Sequence, residues 1–483
     1  MSRPAEAGTR RVAADITIQI LARVVNLILG IFVTLILVRG LGSASFGAWS
    51  AIFAVTQIVA GIGELGLSEI VVNRASADPE GERDWLGALL SLRLLLALPM
   101  MIASVAVVLL ILPAGQERTA GVIISCGMLI GVPTALNIVF QLRVRNDISM
   151  AIVTFNSVIW GVGVVAVALL SGGIIAFAAV FVGTSAITAA LTAVLAMRIT
   201  PVQLHGVRRL WRPILRIGVL AGIGGMLITL YVKVDQILVL NIAGSRQAGL
   251  YGAAYRLLEQ IQFIPAAVMT TLFPLIARAY ARRSDRTQTI LQAAGEYLAM
   301  ASLPILAFTI VAAQPIMTLL FGDEFAEAAA ALPILAGAFV SISFGYLVGN
   351  MVVVLELQRR FAFFAVIALV LNVTLNLVFI PPYGFVAAAW ITVLTEFTVM
   401  LLSMRMVLRA IEMAPRFGRI LRTVLAATIM GVATWLAHLA GMPLSVLVVV
   451  AAVTYIPSLL ALRIVTVGEL RGMVAREPAA LID

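Results

Sequence analysis

The chain has 483 residues, of which 62% are hydrophobic and only 12% charged, with a mean hydropathy of +1.09. So little polar surface cannot coat a soluble globule, for which about 25% charged residues is ordinary. The formal charge of +10 is scattered between apolar segments, not gathered on one face as a nucleic-acid surface requires, which argues against a nucleic-acid partner.

The first apolar segment runs over residues 15–38. A helix crosses a bilayer with about 20 apolar residues. This run is also too long for a signal-peptide core and lacks a small-residue cleavage site, so it is expected to remain as the first span. Asp15, Gln19, Arg23 and Asn26 follow at spacings of four, four and three, which places them on one helical face. Inside a membrane such a face must look at protein or water. Further segments begin near Phe46, Leu86, Thr119, Ile148, Gly173, Ile214, Ala248, Leu291, Glu327, Arg360, Gly384, Arg419 and Pro443. They predict an all-α polytopic membrane protein with about fourteen transmembrane helices. Cys126, the single cysteine, lies in the fourth and reads as a packed core thiol, and with only His205 and His438 a protein-only zinc site is not expected. Turn residues at 171–173 and 381–383 divide neighbouring spans, and prolines 99, 133, 265, 274, 304 and 333 predict kinks.

The arginines fit that count. With the N-terminus in the cytoplasm, Arg10, Arg74, Arg83, Arg143, Arg145, Arg208, Arg209, Arg278, Arg282, Arg359, Arg405, Arg416 and Arg463 fall inside, while Arg39, Arg118 and Arg246 fall outside. This positive-inside bias predicts a multi-pass protein of the bacterial cytoplasmic (inner) membrane with both termini cytoplasmic. No connection is long enough to form a domain, so an extramembrane catalytic platform is not expected.

The chain also repeats. Residues 42–49 (GSASFGAW) return at 244–251 (GSRQAGLY), and residues 173–179 (GIIAFAA) at 384–390 (GFVAAAW), in the same order. Six spans separate the copies, so the repeats are parallel and related by a pseudo-twofold axis along the membrane normal, the architecture of a transporter. The expected organisation is a cytoplasmic tail (1–14), an N-lobe of six spans (15–200), a basic linker (201–213), a C-lobe of six spans (214–410), two extra C-terminal helices (411–466) and a tail (467–483).

Residues 234–239 (VDQILV) with 249–256 (GLYGAAYR), 319–328 (LLFGDEFAEA) and 376–385 (ending in IPPYGF) resemble signatures of the polysaccharide transporter family. These are Wzx-like oligosaccharide flippases, in the superfamily that holds multidrug extrusion transporters and lipid II flippases. The resemblance implies a flippase, not an enzyme, that moves a polyprenyl-pyrophosphate-linked repeat unit for cell-surface polysaccharide biosynthesis. The expected partners are that lipid, membrane lipids and the polymerase or glycosyltransferases of the same process. A pyrophosphate head group needs cations and donors to replace its water, and Arg23, Lys233 and Arg256 are the candidates. Lys233 is the one lysine in the chain. Asp235 lies about 200° from it around the helix and is expected to reach Arg256 instead, while Glu259 sits three residues beyond Arg256. Asp235, Glu259 and Glu396 are candidates for ion coupling or for an ion network. Asn26, Asn156, Trp160, Asn372 and Asn376 are candidate sugar contacts, with interhelical hydrogen bonding an equal reading for the asparagines. Glu64, Glu69 and Arg93 read as snorkelling side chains. No cofactor or metal is expected, and coupling to a proton or sodium gradient or to the membrane potential stays open. A lipid II flippase or a cation-coupled multidrug exporter on the same fold is the alternative, although interior acids and bases balance too closely for a site selecting cationic drugs.

Overall fold

In lipid a backbone amide finds no partner except a carbonyl of its own segment or of a closed barrel, and the described residues of this chain are almost wholly helical, with no strand. The computed structural model describes residues 4–465, apart from positions 65, 144, 205 and 283–285; the side chains of residues 4–24, 220 and 221 lie outside the description. The chain forms two compact units, Met1–Gly249 and Leu250–Asp483.

In the first unit α1 (Pro4–Glu64) passes through Gly42, whose φ of 71° and ψ of 172° break the helix. Gly66, at φ 69°, separates it from α2 (Leu67–Ala77). Then come α3 (Glu82–Ile111), α4 (Gln116–Ile130), a 3-10 turn (Val132–Asn137), α5 (Ile138–Leu142), α6 (Asn146–Leu169), α7 (Ile174–Ile199) and α8 (Arg208–Ala243). Gly244, at φ 89° and ψ 169°, leads into α9 (Ser245–Ile261), which continues into the second unit. The duplicated motif therefore bends the same way twice: its leading glycine takes nearly the same left-handed φ and extended ψ in both copies, a conformation only glycine reaches without strain. Leu67, Val71, Leu86, Leu89, Leu92, Phe140, Ile152 and Ile214 form the core of this unit. On the other side of α3, Leu94, Leu95, Leu98 and Ile102 are exposed, as suits a helix that meets hydrocarbon.

The linker is not free chain. A Cβ on Gly87 of α3 would stand 2.8 Å from the carbonyl carbon of Gln203, so only glycine admits the strap there. Beyond it Arg209 pairs with Asp84 at 2.9 Å and Trp211 Nε1 donates to Ser91 Oγ at 3.0 Å.

The second unit continues with α10 (Phe263–Ala281), α11 (Arg286–Phe321), a 3-10 turn (Asp323–Ala330), α12 (Leu332–Val354), α13 (Gln358–Ala410), α14 (Gly418–Leu439) and α15 (Leu444–Ala461). Met269, Leu272, Leu298, Leu347, Met351 and Val407 are central to its core. The two C-terminal helices are fastened to α11. Arg419 on α14 pairs with Glu296 at 3.1 Å and donates through Nε to the Ile464 carbonyl at 2.6 Å. Gln292 holds the connecting segment by both ends of its amide, donating to the Arg416 carbonyl at 2.6 Å and accepting from the Arg416 N–H at 3.0 Å.

Among the described residues eleven helices are long and apolar enough to cross a membrane, or twelve with the bent pair Gln116–Ile130 and Val132–Leu142. That is fewer than the expected fourteen, and the difference has a local origin. Two of these stretches, Val25–Ala77 and Gln358–Ala410, run 53 residues each, far beyond the ~20 a bilayer needs. Both pass through a left-handed glycine, Gly42 or Gly384. The chain is thus an all-helical, multi-pass membrane protein. Cys126 departs from expectation: it is exposed, because α4 buries the stripe formed by Ala120, Gly121, Ile124 and Ser125 and the next side chain turns outward.

Candidate functional site

The polar stripe of α1 has a protein partner where its side chains are described. Asn26 donates through Nδ2 to Thr154 Oγ1 on α6 at 2.9 Å. Two residues along α6, Asn156 accepts from Thr188 Oγ1 of α7 at 2.8 Å. Arg23 lies on the same helix, outside the residues whose side chains are described.

Trp160 sits in an aromatic cluster at this seam. Its ring lies nearly parallel to Trp49, with centroids 6.3 Å apart. It meets the edge of Phe181 at 5.6 Å, and Phe53 meets Phe181 at 4.8 Å. Such edge and offset pairs add about 0.5–1.5 kcal/mol each beyond area burial. The sugar-contact candidates Asn26, Asn156 and Trp160 are therefore brought onto one α1–α6–α7 seam, where each already has a protein contact.

On α8 the two charges have different surroundings: Lys233 is half-buried, whereas Asp235 is 2% exposed. On α9 the exposed Arg256 donates to Glu259 at 2.8 Å, the pairing that their spacing of three allows. Asn372 and Asn376 are fully buried on α13. Asn376 Nδ2 donates to both the backbone carbonyl and the side-chain oxygen of Asn372, at 3.0 and 2.9 Å. Glu396 is half-buried one turn beyond Thr392, whose hydroxyl lies 3.0 Å from that of Tyr251.

Two polar clusters in the first unit escaped the sequence reading. In one, buried Glu82 accepts from Arg143 at 3.0 Å and from Thr200 Oγ1 at 3.1 Å, joining three elements. In the other, Arg93 on α3 pairs with Glu64 at the end of α1 and donates to Ser68 Oγ on α2 at 2.9 Å. The readable signal was one cation, Arg93, and one acid, Glu64, on separate apolar helices. Treating each as an isolated snorkelling end concealed their convergence. Among the described residues no group of three or more His, Cys, Asp and Glu is placed to hold a metal ion.

The family model described as "Polysaccharide biosynthesis protein" matches residues 36–330. A probable low-salt glycan biosynthesis flippase, Agl15, of Haloferax volcanii is 30% identical over 149 residues, which cover 30% of this chain and 31% of that protein. The chain thus matches about a third of the length of this curated relative. Among solved structures, an inward closed conformation of the lipid II flippase MurJ aligns with a TM-score of 0.74 at 15% identity, covering 92% of this chain and 98% of the other. An inward-facing multidrug resistance transporter of the MATE family and MOP superfamily aligns with a TM-score of 0.65 at 17% identity, over 82% and 98% of the two chains. A MOP superfamily transporter from Pyrococcus furiosus aligns with a TM-score of 0.54 at 19% identity, over 83% and 94%. At these identities the likeness concerns the fold alone, the one shared by the flippase and the transporters named. With most of its length matched by the family model, this chain belongs to the polysaccharide biosynthesis protein family, as a multi-pass member with a MurJ- and MATE-like fold.

Proposed function

We propose that the protein is a flippase that moves a polyprenyl-pyrophosphate-linked oligosaccharide across the bacterial cytoplasmic membrane by alternating access, for cell-surface polysaccharide biosynthesis. The family match carries this reading. The fold supports it, being one of transporters, as does a chain that places nearly all its described residues in helices and their short connections. In this proposal Arg23, Lys233 and Arg256 take the pyrophosphate, because a guanidinium or ammonium replaces lost water at phosphate oxygens with charge-assisted hydrogen bonds. Asp235, Glu259 and Glu396 serve ion coupling, drawing on a proton or sodium gradient or on the membrane potential. The arginine bias supports cytoplasmic termini. The membrane polymerase and glycosyltransferases of the same glycan are the partners this role calls for.

The test is genetic and chemical together. Deleting the gene should leave the lipid-linked oligosaccharide on the cytoplasmic leaflet, where an outside glycan-modifying reagent cannot reach it. Wild-type protein should restore labelling, and Lys233→Ala protein present at equal level should not. Undiminished labelling in the deletion strain would sink the proposal.

A further inference from the structure

Two helix interruptions fall together in the first unit. Gly66 breaks the chain between α1 and α2, and Gly131 with Pro133 turns α4 into the 3-10 segment and α5 at an angle of 44°. Interrupted helices are a recurrent place for binding sites in transporters. Residues beside them line an open cleft with a volume of about 650 Å³, inside the ~300–1,000 Å³ range of small-molecule sites.

The lining chemistry selects among ligands. Among the described lining residues Arg93 is the one cation, beside two carboxylates, Glu64 and Glu69. The ionised wall therefore carries a net negative charge and repels a pyrophosphate, although the cavity belongs to a proposed pyrophosphate-lipid carrier. The other groups that matter are amides, on Asn73, Asn137 and Gln141. An amide both donates and accepts, as a sugar hydroxyl does. Arg93 is already committed to the protein, its Nη2 serving Glu64 and Ser68. Asn137 is held in place by Ser149 Oγ, which donates to its side-chain oxygen at 2.9 Å, so part of the wall is preorganised.

We propose that this cavity is a binding site for the sugar portion of the lipid-linked substrate, separate from the residues that take the phosphates, and that it reads uncharged hydroxyl-rich saccharide. The inference rests on the flippase reading for its substrate class, but not for its location.

The experiment uses the full chain in nanodiscs and the lipid-linked oligosaccharide pool extracted from the organism's own membranes. The control is the same pool after mild acid has released its sugars. Backbone hydrogen exchange over residues 66–77 and 131–142 should slow with the intact pool and not with the sugar-free lipid. Asn73→Leu with Gln141→Leu should abolish the effect; both side chains are exposed on the cavity wall, so the fold should survive their loss. In proteoliposomes the same double variant should raise the apparent KM for the intact pool at least tenfold while leaving kcat within about twofold. Equal slowing by both lipids, no slowing by either, slowing by sodium alone, or an unchanged KM would overturn the sugar site. Slowing by the intact pool without any transport would leave the sugar site standing and overturn the flippase reading instead.

Discussion

Gly47 and Gly249 meet backbone to backbone: a Cβ on Gly47 would stand 2.6 Å from the amide nitrogen of Gly249, and one on Gly249 would stand 2.7 Å from the carbonyl carbon of Ser43. Gly47 presses on Ser245 in the reciprocal way, and these are corresponding positions of the duplicated motif. Small residues let membrane helices approach this closely. The atoms in the way are main chain and cannot rotate aside, so Gly47→Ala and Gly249→Ala should each destabilise the protein by at least ~1–3 kcal/mol, the usual cost of overpacking. Gly225→Ala on α8, where no heavy atom of the described residues beyond its own helix backbone lies within 4 Å, should be neutral or slightly stabilising. Thermal unfolding of the three variants in detergent checks this; equal midpoints for all three would contradict the close approach.

Glu82 joins α3 to the segment after α5 and to the end of α7 through Arg143 and Thr200. Glu82→Ala should cost about 1–3 kcal/mol, since it takes the acceptor from the buried Thr200 hydroxyl, while the exposed Arg143 can turn to water. Glu82→Gln keeps a hydrogen-bonding oxygen and should lose less. Chemical denaturation in micelles, followed by tryptophan fluorescence, would separate the two; equal losses would show that charge alone matters.

Trp160 offers a way to separate packing from recognition. Its stacking on Trp49 and edge contact with Phe181 make Trp160→Leu destabilising by roughly 1–3 kcal/mol. If the ring acts by packing only, the KM for lipid-linked glycan stays within about twofold at temperatures where the variant is folded. A tenfold rise in KM with unchanged stability would instead assign it to the sugar.

Arg419 is the main polar fastening of the C-terminal helix pair, bonded to Glu296 and to the Ile464 carbonyl. Arg419→Ala should speed backbone hydrogen exchange across Gly418–Leu439, while exchange in α12 stays as it was. Unaltered exchange in α14 would mean that apolar packing alone holds the pair.

Much of the fold is legible because membrane helices announce themselves by run length. The duplicated Gly42 and Gly244 could be read as structural twins from the motif they head, and both adopt the same left-handed turn. What stayed hidden were relations across distance. Arg93 lies 29 residues from Glu64, and Glu82 lies 118 from Thr200; hydropathy carries no record of which helices are neighbours. The same limit explains Cys126, whose run is apolar on every side, so that composition could not separate the protein-facing stripe from the lipid-facing one. Among the candidate site residues, Arg256 pairs with Glu259 three residues on, whereas the partner expected for it from sequence is Asp235. The cavity was not legible in the sequence, since the residues that line it, drawn from 64–73, Arg93 and 134–141, come together only through tertiary packing.

The most direct test of the central claim is translocation of a fluorescent undecaprenyl-pyrophosphate oligosaccharide by the purified protein in sealed liposomes, read by dithionite quenching of the outer leaflet. Label initially protected inside should become fully quenchable with wild-type protein and stay protected with Lys233→Ala. Protection that persists with wild-type protein, alongside uptake of cationic dyes by the same liposomes, would contradict it and point to drug extrusion.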